Sequence, residues 1–117
     1  MSSEVSHFFR VAKRVRAAVG YLELGMSEQA LACLENLGEL GPFEAEVELL
    51  RGQAFRLQHR YEDAAVALKA AATKFPAPQD KSAWLALSIC YHQAGDADQA
   101  LQMLARARGA QTPNELG

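Results

Sequence analysis

Four cations crowd the start of the sequence, Arg10, Lys13, Arg14 and Arg16, with no acid between Val5 and Leu22. On a helix, spacings of three and four bring Arg10, Lys13 and Arg14 onto neighbouring surface. Such a patch could attract an acidic partner, a phosphate backbone or an anionic membrane. No Gly-rich loop or stacking aromatics accompany it, and a solvated helix face explains it as well. The three histidines, His7, His59 and His92, are too dispersed to build a triad, and no serine sits in a GxSxG turn. Cys33 and Cys90 form no CxxC pair and have no clustered histidines to complete a metal site, so both read as reduced packing residues. Glu62 and Asp63 adjoin at the start of a helical pattern, where carboxylates favour the helix dipole. These residue types and spacings point away from an enzyme, a cofactor, a metal site and a nucleic-acid partner.

The elements that carry these residues must be helical. The chain has 117 residues, of which 50% are hydrophobic and 22% charged, with few Pro and Gly, which is the composition of a folded helical domain. A domain of this size buries roughly two-thirds of its unfolded surface, so no disulfide or metal is required for stability. The net charge of −2 exerts no global pull toward nucleic acid or acidic membrane. No apolar run approaches the roughly 20 residues of a membrane span, and Met1 to Arg10 lacks an uninterrupted apolar core of a signal peptide. The expectation is a cytoplasmic protein without a membrane partner.

Sliding the chain against itself aligns three phrases. Tyr21, Phe55 and Tyr91 each stand nine residues before Ala30, Ala64 and Ala100, and each alanine stands four before Leu34, Leu68 and Leu104. A small residue, Ala18, Gly52 or Ser88, precedes each aromatic by three, and Gly25, His59 or Gly95 precedes each alanine by five. The periods are 34 and 36, so the second junction carries two extra residues, which fit best in the stretch Pro76-Ala77-Pro78-Gln79-Asp80. Each unit reads as two helices joined at the Gly or His, because Gly reaches positive φ without strain and His tolerates it better than most residues. The small residue and the alanine allow close approach where the two helices cross. The pattern predicts helices over about 4–24, 27–39, 43–58, 61–74, 80–94 and 97–109.

On these residues the chain resembles the tetratricopeptide repeat family, whose unit follows a Trp, Leu-Gly, Tyr, Ala, Phe, Pro pattern. The stretch Trp84, Leu87, Ser88 and Tyr91 is closest, with Ser in place of Gly. The second unit keeps Gly52, Phe55, Tyr61, Ala64, Leu68, Ala71 and Pro76, and the first is most divergent, with Arg14 in the Trp position and Ser27 in place of Tyr. The resemblance implies an all-α, right-handed superhelical solenoid of three helix-turn-helix repeats, about 11–44, 45–78 and 81–114. Residues 1–10 would extend the first helix and 115–117 would form a tail. It further implies a concave groove, lined by the first helix of each repeat, that receives a peptide or amphipathic helix of a partner. One subgroup clamps acidic C-terminal tails with Lys, Asn and Arg. The corresponding places here hold Val15, Val19, Leu50, Ser82 and Ala86, which cannot hold a carboxylate by charge.

Helical spacing puts Val15, Val19 and Leu22, then Leu49, Gln53 and Arg56, then Leu85, Ile89 and His92 on the inner faces. They read either as a strip for the apolar face of a ligand, with Arg56 and His92 at one end for a polar group, or in part as core between repeats, especially Leu49 and Leu85. Beyond Arg108 only a short polar segment remains, so Leu85, Cys90, Leu101 and Ala105 are expected near an uncovered solenoid end. Two functional readings follow. One is a protein-binding module, adaptor or chaperone-like. The other is a self-assembling scaffold that forms homo-oligomers through its groove or its ends.

Overall fold

A computed structural model describes residues 3–109. Six α-helices run through them: α1 Ser3–Glu23, α2 Ser27–Cys33, α3 Glu44–Leu57, α4 Tyr61–Lys74, α5 Asp80–Gln93 and α6 Ala97–Ala107, with a 3-10 turn at Gly41–Phe43 before α3. They pack as sequential pairs, α1 on α2, α3 on α4 and α5 on α6. Contacts of α2 with α3 and of α4 with α5, and of α1 with α3 and α3 with α5, stack the pairs into a three-repeat solenoid. Residues 110–117, including the segment expected as a tail, lie outside the described residues.

The turn inside each repeat is built the same way three times. Gly25, His59 and Gly95 have φ of 73°, 60° and 87°. The next N–H, of Met26, Arg60 or Asp96, donates to the carbonyl of Tyr21, Phe55 or Tyr91 at 2.8, 2.9 and 2.9 Å, and the turn residue donates to the carbonyl one place further on. This pair of bonds satisfies helix-end carbonyls and reverses the chain, and it requires the left-handed residue that the sequence places there. The reversed chain then starts the second helix at once. Among α2 to α6, α6 alone has a side-chain cap at its start, Asp96 accepting from Gln99 N.

The helix pairs cross closely because small side chains occupy the crossing. Ala18, Ala30 and Ala64 are fully buried. At Gly52 a Cβ would stand 2.5 Å from Leu68 Cγ and Cδ2. In the third repeat the Ser88 hydroxyl donates to the Ala100 carbonyl at 2.6 Å, so the one buried polar side chain among the described residues is satisfied. Two apolar clusters result. Val11, Val15, Ala18, Ala30, Leu34, Leu37, Val47 and Leu50 join the first repeat to α3, and a second cluster around Leu68, Ala83, Trp84, Leu87, Cys90 and Met103 joins the second repeat to the third.

One helix is much shorter than its periodicity predicts. The pattern continues to residue 39, yet α2 ends at Cys33. Asn36 and Gly38 take left-handed φ of 56° and 73°, and the chain between them turns Leu37 into the first cluster, 5% exposed. The end is secured from outside the helix: Arg14 donates from Nε to Cys33 O at 2.9 Å and from Nη2 to Ala32 O at 2.8 Å. Arg14 occupies the repeat position that holds Trp84 in the third unit, where the ring packs under the Arg106 guanidinium, 4.7 Å from its centroid. Both residues hold the end of their own repeat's second helix, one by hydrogen bonds and the other by stacking. By contrast α4 runs its expected length until Pro76, with Phe75 before it already extended at φ −70°, ψ 136°.

Candidate protein-binding groove

The first helices α1 and α3 pack against each other, and an opening lies between their C-terminal halves. The opening, about 370 Å³, is lined by Val19, Leu22 and Glu23 from α1 and by Leu50, Gln53, Arg56 and Leu57 from α3. Four residues of the inner strip, Val19, Leu22, Gln53 and Arg56, therefore meet in one place. Its lining combines aliphatic side chains with one anion, Glu23, and one cation, Arg56. Arg56 is half-buried, and its Nη1 donates to Gln93 Oε1 on α5 at 3.3 Å, which restrains the guanidinium and bridges two repeats.

The remaining strip residues are distributed differently. Val15 is 4% exposed and belongs to the cluster with Leu37 and Val47, so it is a packing residue. Leu49 is half-buried against the second cluster. Leu85 and Ile89 are 45% and 41% exposed on α5, and His92 is exposed beside Gln93. They do not line the α1/α3 opening. At the expected open end of the solenoid, Leu101 is 64% exposed, whereas Cys90 is fully buried. Its Sγ lies 3.5 Å from Tyr61 O, packed toward α4 rather than outward.

Glu23, Leu50 and Leu57 complete the opening but fall outside the strip read from the sequence. An i, i+4, i+7 progression follows a single row of side chains, whereas a groove between two helices is lined by the neighbouring row as well. Extending each row by one residue would have found Glu23 and Leu57. Gln93 carries no such signal, since its contact with Arg56 depends on the separation of α3 and α5.

The other chemistry-bearing residues are engaged locally. Arg14 is occupied by the α2 carbonyls. Arg10 Nη2 lies 3.0 Å from His7 Nδ1, and His7 Nε2 lies 2.7 Å from the Glu39 carbonyl. That arrangement fits the tautomer in which Nε2 donates to the carbonyl and Nδ1 accepts from the guanidinium. His59 Nδ1 pairs with the Tyr61 hydroxyl at 2.8 Å. Burial pushes the Cys90 thiol above its ordinary value, which favours the protonated form, and the Arg56 charge partly offsets this. Among the described residues no three of His, Cys, Asp and Glu are placed to hold a metal ion, and no helix is long and apolar enough to cross a membrane.

Comparison with known families returns two overlapping matches, both to models described as tetratricopeptide repeat. One covers residues 15–77 and the other residues 55–116. No curated protein matches the chain.

Proposed function

The chain belongs to the tetratricopeptide repeat family, and from that premise we propose that it is an adaptor, or a chaperone-like carrier, whose α1/α3 groove receives an amphipathic segment of another protein. The observation that carries this reading is the composition of the opening: Val19, Leu22, Leu50 and Leu57 as apolar lining, with Arg56 and Glu23 as charges of opposite sign. Burying an aliphatic side chain contributes roughly 1.5–3 kcal/mol when fully covered, so one or two ligand side chains in this opening supply useful affinity. The charges then set direction. A ligand carboxylate or carbonyl pairs with Arg56, and an amine or backbone N–H pairs with Glu23. A purely acidic tail meets Glu23 and no second cation in the opening, which disfavours it. The free thiols Cys33 and Cys90 suit a reducing compartment such as the cytoplasm.

The test is affinity capture from native lysate with the parent and with Val19→Glu, both confirmed folded by circular dichroism, followed by calorimetry on the captured partner's segment with Arg56→Glu. Partners are expected to be lost from Val19→Glu and affinity to fall in Arg56→Glu. An unchanged partner set with unchanged affinity refutes the reading. A self-assembling scaffold is the second reading, favoured by the exposed Leu85, Ile89 and Leu101. Light scattering that finds a monomer at high concentration removes it.

A further inference from the structure

The amino-terminal turns of α1, before the first repeat, carry a second apolar opening. Val5, Phe8, Phe9 and Ala12 form one wall and Pro42 and Phe43, just ahead of α3, form the other, enclosing about 340 Å³ with no polar side chain in its lining. This opening is held in shape. The Phe8 ring lies so close over Gly41 that a Cβ there would stand 2.7 Å from it, and the His7 ring packs on Gly38 while its Nε2 reaches Glu39 O. Phe9 is nevertheless 64% exposed. A large aromatic left open beside a preformed apolar hollow marks an interaction site.

The surrounding charge specifies what fits. On the α1 helix Lys13 and Arg16 lie one and two turns beyond Phe9 on the same flank, about 6 and 10 Å along the axis. Both are exposed, and among the described residues neither joins an ion pair. Arg10, also exposed, adds a third cation. Within α1 the only acids are Glu4 and Glu23, at its two ends. Across the opening, Glu44 is bound to Lys74 at 2.8 Å and is not free to neutralise Lys13 or Arg16.

We propose that this opening is a separate docking pocket for a partner protein segment that presents a large apolar side chain flanked by carboxylates. The apolar side chain enters between Phe9 and Phe43, and the carboxylates meet Lys13 and Arg16. A concave pocket walled by two elements suits an inserted side chain better than the flat face of a membrane. The pocket shares no lining residue with the groove around Val19 and Arg56. It therefore stands or falls independently of that site.

The probe is a short fluorescein-labelled peptide carrying Phe and Leu one helical turn apart among glutamates, compared with the same peptide bearing lysines. Fluorescence polarisation is expected to detect the glutamate peptide and not the lysine peptide, with affinity falling as salt rises. Phe9→Ser, which removes an exposed side chain and leaves the melt unchanged, is expected to weaken binding at least about tenfold. Lys13→Glu with Arg16→Glu is expected to abolish the preference for glutamate. Amide shifts on titration should centre on Ala12 and Phe43. Equal binding of both peptides, or full affinity in Phe9→Ser, overturns the proposal. Shifts centred on Val19 and Arg56 also overturn it while leaving the groove reading intact. Three further results would assign a different occupant and overturn it too: Phe9-dependent self-association in light scattering, Phe9-dependent sedimentation with phosphatidylserine vesicles, or tighter peptide binding after deletion of residues 110–117.

Discussion

Two glycines in the first helices of their repeats should respond oppositely to the same substitution. Gly20 lies in α1 and Gly52 in α3. Neither has positive φ, so alanine is compatible with both backbones and gains roughly 0.5–1 kcal/mol of helix propensity. Around Gly20 the space is open, with nothing within 4 Å of a built Cβ. That gain should therefore be realised in full. At Gly52 the same methyl meets Leu68 Cγ and Cδ2 at 2.5 Å and Leu68 N at 3.2 Å. Leu68 is fully buried and has nowhere to move, and its nitrogen belongs to the α4 backbone. Overpacking of this kind costs about 1–3 kcal/mol, which offsets the propensity gain and leaves a net loss of up to about 2.5 kcal/mol. At roughly 3–5 °C per kcal/mol for a chain of this size, Gly20→Ala should raise the melting temperature by a few degrees and Gly52→Ala should lower it by a similar or larger amount. Urea and thermal denaturation followed by far-ultraviolet circular dichroism would measure both. If the two variants were stabilised equally, α3 and α4 would not cross at Gly52 and the repeat register would be wrong.

Arg14→Leu should cost about 1 kcal/mol and speed amide hydrogen exchange in α2, because two helix-end carbonyls lose a charged donor. Arg14→Lys should recover only part, since one ammonium cannot reproduce the two-pronged contact, and unchanged exchange in Arg14→Leu would reject the capping role. A thiol reagent should modify half-buried Cys33 in the native protein and reach Cys90 only as fast as the chain unfolds. Native-state labelling of both at similar rates would contradict the packing around Cys90. For Lys74 the hydrogen bond to Glu44, aided by the Glu44 and Glu48 charges, raises the amine above its ordinary value despite some desolvation. The folded chain thus holds that proton more tightly than the unfolded chain. Its contribution is present below lysine's ordinary range and is lost as pH rises through the raised value. Melts of the parent and Lys74→Gln should converge across that alkaline range, and a constant gap would show that the ion pair carries no linkage.

The repeat architecture was legible in the sequence because its determinants are local. A left-handed residue, an aromatic six residues before the next helix begins and an alanine at the crossing act through contacts within a single helix pair. Even His59, the weakest of the three turn signals, adopts a left-handed φ as its glycine counterparts do. The length of α2 was not legible in the same way. Its periodicity continues beyond Cys33, but Arg14, nineteen residues earlier, holds its last carbonyls, and Leu37 is drawn into the cluster with Val47. Both contacts are made across the fold.

The groove divides along the same line. Helical period determines which residues share a face, and it placed Val15, Val19 and Leu22 together. How deeply a neighbouring helix covers that face depends on where the two helices cross, which no single-helix pattern encodes. The crossing of α1 with α3 buries Val15, leaves Val19 and Leu22 at an opening and brings in Leu50 and Leu57 to complete it. The link from Arg56 to Gln93 is set by the spacing of α3 and α5. The exposed Phe9 follows the same rule: its helix position was readable from the sequence, but only the approach of Pro42 and Phe43 turned that position into a pocket.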